Sequence, residues 1–196
     1  DDAGQVFSSC SHLRFFRNTP DIRYKRRIHE QLVSLSGHEL QIMDGSGELS
    51  ILHTGYQSET LREKKKSRRN RRMLLKEIEE HPEDPELSGY MGDECYDDGE
   101  REEAEKWYRS SIQHMPSVLK EYDQRHAATF TRLLMLLTER ADASWKNAEA
   151  LYRQATRAFP KEGDLDYIAG RFFASHGQPA DSICYLERAL MKLEQY

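Results

Sequence analysis

The stretch Met91-Gly92-Asp93-Glu94-Cys95-Tyr96-Asp97-Asp98-Gly99-Glu100-Arg101-Glu102-Glu103-Ala104-Glu105-Lys106-Trp107-Tyr108 decides the fold. A glycine inside a helical pattern marks a place where another chain segment comes too close for a side chain, and Gly92 is read that way. Gly99 is a helix stop. Ala104 and Tyr108 lie four residues apart, so a small and a large residue share one face of the next helix. Pro116 closes the unit, because proline cannot continue a helix. Residues 84–116 therefore read as two antiparallel helices joined by a short turn. Met91 supplies an apolar neighbour to Gly92, and Cys95 and Tyr96 fill the turn after it.

The pattern recurs downstream. In residues 163–196, Gly170, Phe173, Gly177, Leu186 and Ala189 fit the same frame, with Ser182 in the place of Ala104. In residues 117–160 only the second helix is clear, through Ala148, Tyr152, Ala155 and Pro160. Ala148 and Ser182 are 34 residues apart, but Ala104 and Ala148 are 44 apart, so extra residues lengthen the middle unit between 117 and 129. Its first helix is placed near residues 129–140, with Leu136 where glycine is usual. This set of residues resembles the tetratricopeptide repeat (TPR), a helix–turn–helix unit with a period of about 34 residues that is stable in stacks of three or more. The fold class expected is mainly α: a TPR-type α-α superhelix preceded by a short antiparallel β segment. Such an array is a binding scaffold, not a catalyst. In this frame Glu86, Asp93, Tyr96 and Asp97 of the first unit and Tyr167 and Arg171 of the third line a peptide groove. Its acidic character predicts a basic polypeptide partner.

Three regions are expected: residues 1–57, a connecting helix over 58–82, and the repeats from 83 to 196. Ser58 or Thr60 can cap the connecting helix, with Glu63 completing a capping box on Thr60. Eight of the eleven residues from 62 to 72 are Lys or Arg. Residues 1–72 carry 14 Lys and Arg against 9 Asp and Glu, whereas residues 73–196 carry 15 against 25. The basic run reads as a solvated helix face, or as a partner for the acidic stretch that follows it. Nucleic-acid binding is disfavoured because the whole chain has a net charge of −5. In the first region, residues 13–17, 27–35, 39–43 and 48–53 have strand-like composition. Asn18-Thr19-Pro20-Asp21 and Asp44-Gly45-Ser46-Gly47 read as turns between them.

The order Leu13-Arg14-Phe15-Phe16-Arg17-Asn18, Arg27-Ile28-His29-Glu30-Gln31-Leu32 and Ile51-Leu52-His53-Thr54-Gly55-Tyr56, followed by a charged helix and repeats, resembles the C-terminal part of bacterial family 2 glycosyltransferases. It is similar to those that carry helical repeats and glycosylate peptide cysteines. The resemblance implies that the short strands are the remnant of a GT-A sheet. For the whole enzyme it implies a nucleotide-sugar donor and a divalent metal, Mn or Mg, held by Asp-x-Asp. This chain has no Asp-x-Asp after a strand and no nucleotide-binding βαβ units. The resemblance thus implies acceptor-side strands without a donor half, with no cofactor or metal in this chain and no sugar transfer by it alone. Within that frame His29 and Glu30 would be the catalytic pair, and Arg14, Arg17 and His53 binding groups. The other reading of His29 and Glu30 is that they occupy alternate faces of a strand. A stand-alone adaptor that binds a basic peptide is the non-enzymatic alternative.

The longest apolar runs are too short for a membrane span, which needs about 20 residues. Residues 1–4 carry no basic or apolar leader pattern. The three cysteines, Cys10, Cys95 and Cys184, are odd in number and far apart, which suits reduced thiols in a cytoplasmic protein. A truncated sheet edge and an uncapped last helix both favour a homodimer.

Overall fold

The computed structural model describes residues 15–41, 43, 60–120 and 123–195; for 60–67 it describes the backbone alone. The chain divides into two compact units between Met73 and Leu74. That boundary lies inside α1 (Thr60–Glu80).

In the first unit β1 (Ile22–Lys25) pairs antiparallel with β2 (Gln31–Ser34), with Ile22 opposite Ser34 and Lys25 opposite Gln31. Ile-Arg-Tyr-Lys alternates apolar and basic residues, the period of a strand with two unlike faces. The turn expected before it is present: the Ile22 amide donates to the Thr19 carbonyl at 3.3 Å. Asp21 ties the open end of the hairpin. Its carboxylate accepts from Ser34 Oγ at 2.7 Å, the Ser36 amide at 2.9 Å and Ser36 Oγ at 2.8 Å. The Ser34 hydroxyl leads the groups that hold the Asp21 carboxyl below its usual range. A lowered carboxylate pKa adds stability above the unfolded value, and that stability is lost as pH falls through the folded one. The hairpin should therefore loosen only in acid below the ordinary aspartate range. In Asp21→Asn it should already be loosened at neutral pH, and the Ser36 amide resonance reports both.

Several expected strands are corrected. Residues 27–35 are not one strand: 26–30 form the hairpin loop and only Gln31–Ser34 is extended and paired. Arg26 and His29 take φ of +76° and +52° there, a left-handed geometry that ends a strand. Residues 15–17, 39–41 and 43 carry no strand. The hairpin leaves no third partner for them among the described residues. The run 48–53 and the turn at 44–47 lie outside the described residues.

The second unit is three helix pairs: α2 (Pro85–Asp97) with α3 (Arg101–His114), α4 (Gln124–Thr138) with α5 (Trp145–Ala158), and α6 (Gly163–Ser175) with α7 (Pro179–Gln195). Asp84 caps α2, accepting from the amides of Glu86 at 2.9 Å and Leu87 at 3.3 Å, and Pro85 occupies the first helical position, where no amide is missed. Asp123 caps α4 through the His126 amide at 3.1 Å. Gly99 at φ +81° and Gly177 at φ +68° turn the chain into the second helices of the outer pairs.

Each second helix repeats one triplet of small, large and small residues: Ala104, Tyr108 and Ser111 in α3, Ala148, Tyr152 and Ala155 in α5, Ser182, Leu186 and Ala189 in α7. The two serines are buried yet satisfied. Ser111 Oγ donates to the Pro85 carbonyl at 2.6 Å and Ser182 Oγ to the Gly170 carbonyl at 2.9 Å. Serine thus substitutes for alanine without leaving a bare hydroxyl. The large residue fills the space that a glycine leaves on the first helix. A Cβ on Gly92 would stand 2.5 Å from the Tyr108 ring, and one on Gly170 2.7 Å from the Leu186 side chain.

The middle pair departs from the expectation. Its first helix starts at Gln124, not near 129, and the link to α5 spans 139–144 where the other pairs use 98–100 and 176–178. Gly92 and Gly170 each stand five residues before the end of their helix; in α4 that place is Leu133, one turn earlier than Leu136. Both leucines are buried. Phe159 packs on Phe130 at 5.9 Å between ring centres, so apolar volume replaces close helix approach there.

Candidate interaction groove

The first helices form one layer. α2 packs on α4 and α4 on α6; α3 lies against α2 and α4, α5 against α4 and α6, and α7 against α6, while Trp145 and Tyr152 of α5 meet Tyr185 of α7 at 5.7 and 5.6 Å between ring centres. The first helices, which pack on one another in series, lie on the tighter, concave side of the stack. The approach of α2 to α4 is closest at Gly89, where a Cβ would meet the Arg125 guanidinium and Thr129 Oγ1 at 2.8 Å.

That approach builds a polar cluster. Asp93 on α2 accepts from the Tyr108 hydroxyl at 2.8 Å and from Arg125 Nη1 at 2.6 Å. Arg125 Nη2 donates to Thr129 Oγ1 at 3.1 Å, and the guanidinium lies 4.4 Å over the Tyr90 ring. Burial, then the Asp93 charge, holds the Tyr108 phenol far above its ordinary pKa, so it stays a donor. Further along, the Tyr96 hydroxyl donates to Glu139 at 3.2 Å, and its ring lies under Arg101 at 3.9 Å and Arg132 at 5.6 Å. Asp97 stands exposed; desolvation raises its carboxyl above the usual range and Arg132 pulls it back. On α6, Arg171 reaches over Tyr167 at 5.8 Å, and both are exposed. Glu86 lies half-buried in the first turn of α2. The six groove residues expected from the repeat frame thus all lie on α2 or α6. Sequence reasoning missed Tyr90 and the α4 contribution of Arg125, Thr129 and Arg132. The signal was there: Arg125 and Arg132 are seven residues apart on one helical face.

A second charged cluster joins three helices. Asp166 on α6 is 1% exposed. It accepts from the Tyr152 hydroxyl of α5 at 2.5 Å and pairs with Lys192 of α7 at 2.6 Å and Arg188 at 3.5 Å. Burial, then Asp166, raises the Tyr152 phenol well above its usual range.

Of the groups expected in the first unit, His29, Glu30 and Arg17 lie among the described residues. His29 and Glu30 are exposed in the hairpin loop, so they do not occupy alternate faces of a strand. Arg17 is exposed, and its carbonyl accepts from the Thr19 amide at 2.9 Å. Arg14 and His53 lie outside the described residues. The divalent metal that the glycosyltransferase resemblance implies needs several ligands in one place, and among the described residues no three His, Cys, Asp or Glu side chains cluster to hold one. Of the basic run, Arg68, Arg69 and Arg72 are exposed.

No family model matches the chain. A TPR repeat-containing protein of Synechococcus elongatus is 29% identical over 189 residues, covering 92% of this chain. The second unit is a TPR-like helical repeat array. The chain spans 40% of the length of that relative. No helix among the described residues is long and apolar enough to cross a membrane.

Proposed function

We propose that the repeat array is a protein-interaction scaffold that holds an extended polypeptide segment across the layer of α2, α4 and α6. The observation that carries this is the run of half-exposed aromatic and arginine groups along that layer: Tyr96 with Arg132, then Tyr167 with Arg171. Planar rings and guanidinium forks offer contact area and hydrogen bonds at low entropy cost, which suits a partner's main chain and charged side chains. The groove is not uniformly acidic. Asp93 is committed to Arg125 and Tyr108, so Asp97 is the α2 acid that a basic partner residue would meet, while Arg171 would meet an acidic one.

A peptide array probed with the chain should yield extended segments of mixed charge. For the best of them, Tyr96→Ala with Arg132→Ala should weaken binding at least tenfold, about 1.4 kcal/mol, with an unchanged melting temperature. An unaltered affinity in that double variant would sink the groove assignment. The glycosyltransferase relationship stays with the motif order of residues 13–56, most of which lie outside the described residues, and no catalysis is assigned to this chain from it. If a donor site is present here, UDP-sugars with Mn²⁺ should raise the melting temperature in proportion to ligand concentration.

A further inference from the structure

The long link of the middle pair leads into α5 beside the end of α6, and an open cleft of about 280 Å³ lies between them. Its walls are the rings of Trp145, Phe172, Phe173 and His176, and its rim carries Lys146 and Gln178. Both walls belong to elements inside the chain, with α4 before them and α7 after. The rings are fixed by the fold itself. Trp145 meets Tyr152, Phe172, Phe173 and Tyr185 at between 5.0 and 5.7 Å from centre to centre. The His176 ring stacks on Phe172 at 4.0 Å, and its Nδ1 donates to the Phe172 carbonyl at 2.8 Å. A preformed wall spares a ligand the cost of ordering it.

The repeat register explains why the cleft stays open. At the junction of α3 with α4, Arg140 reaches Glu105 at 2.8 Å and bridges the gap. At the junction of α5 with α6, Glu149 takes the place of Glu105 and Gly177 the place of Arg140. Gly177 has no side chain to cross with, and among the described residues Glu149 pairs only with Arg153 of its own helix, at 2.7 Å. Lys146 is exposed and has no ion-pair partner among the described residues. No acidic side chain among them lines the cleft.

Size and chemistry select the occupant. A closed cavity of about 150 Å³ takes one benzene ring, so this open cleft suits a single ring, from that of Phe to that of Trp. Rings that meet offset or edge to face gain more than aliphatic groups of equal area. An open cleft covers only part of a free small molecule, whereas a side chain arrives with neighbours that reach the rim. There the Lys146 ammonium favours a carboxylate. We propose that the cleft takes an aromatic side chain of a partner polypeptide with Asp or Glu beside it. The ring lies on Trp145 and Phe172, and the carboxylate meets Lys146. This site rests on the scaffold reading only in that its partner is a polypeptide; its residues are not the tyrosines and arginines that carry the groove.

The test uses the full chain and three short labelled peptides in a Gly-Ser background, one with Trp-Glu, one with Trp-Lys and one with Leu-Glu. Fluorescence anisotropy should show the Trp-Glu peptide binding about fivefold tighter, or better, than either of the others. Lys146→Glu changes an exposed residue, so it should reverse the order of the Trp-Glu and Trp-Lys peptides without lowering the melting temperature. In a Trp107→Phe background Trp145 is the one indole of the chain, and its N–H resonance should shift when the Trp-Glu peptide is added. The Tyr96→Ala, Arg132→Ala groove variant should bind this peptide as the parent does, which keeps a failure of the groove apart from a failure of the cleft. Equal affinity for the three peptides, no binding of any, or binding that leaves the Trp145 resonance in place overturns the proposal. So does loss of binding in the groove variant, because the peptide then lies in the groove.

Discussion

Replacing Asp166 by alanine should destabilise the helical unit by roughly 3–5 kcal/mol, the cost of removing one partner from a buried ion pair. The carboxylate holds the Tyr152 hydroxyl at 2.5 Å and Lys192 at 2.6 Å. Its loss leaves a buried phenol without an acceptor and a largely buried ammonium without its counter-charge. The cause can be separated from simple loss of volume. Adding Lys192→Met to Asp166→Ala removes the orphaned charge and should recover part of the stability. Urea midpoints for the two single variants and the double variant check this through the coupling term. Additive effects would mean that the pair contributes little beyond its separate contacts.

Gly92→Ala should cost about 2–3 kcal/mol, the upper part of the range for overpacking. The added carbon would sit 2.5 Å from the Tyr108 ring, which is fully buried and fixed by its hydrogen bond to Asp93. The ring cannot withdraw without breaking that bond, so α2 and α3 must separate. Gly170→Ala is the contrast. Its added carbon meets Leu186, a flexible side chain with an exposed edge, and should cost clearly less. Alanine also raises intrinsic helix propensity at both sites by up to about 1 kcal/mol, which makes the Gly92 result the sharper test of close approach. Thermal or urea unfolding of the two variants side by side would settle the order. An equal or reversed order would mean that Tyr108 has room to move.

The outer helix pairs were legible in the sequence because their geometry depends on single residues that nothing else replaces. Gly92 and Gly170 mark contacts, and Gly99 and Gly177 mark turns with positive φ. The middle pair was harder to read because it solves the same problem with bulk. Leu133, Leu134, Leu136, Phe130 and Phe159 pack its core, and leucines in a helix do not say which of them faces the neighbour. The longer link at 139–144 then shifted the frame by about one turn, and the arginines of α4 were lost from the groove with it. In the first unit, strand-like composition misled over residues 27–35, because the loop geometry at Arg26 and His29 has no signature in residues that are not glycine. The pairing of Asp166 with α5 and α7 was invisible too, since its partners are 14, 22 and 26 residues away and only the packed helices bring them together.

Because each helix pair touches only its neighbours, the array has no central core whose loss would melt everything at once. Chains built this way come apart like a zipper, from an end inward. The Asp166 cluster changes where the zipper can start. By tying α5, α6 and α7 to one carboxylate, it binds the last pair to the middle one, so those helices should exchange their amide hydrogens as a single block. The ion pairs that tie the first pair to the middle one, Arg125 with Asp93 and Arg140 with Glu105, are all partly exposed and so add less. Unravelling should therefore begin at α2 and α3, and the groove would lose its acidic wall while its arginine wall is still in place.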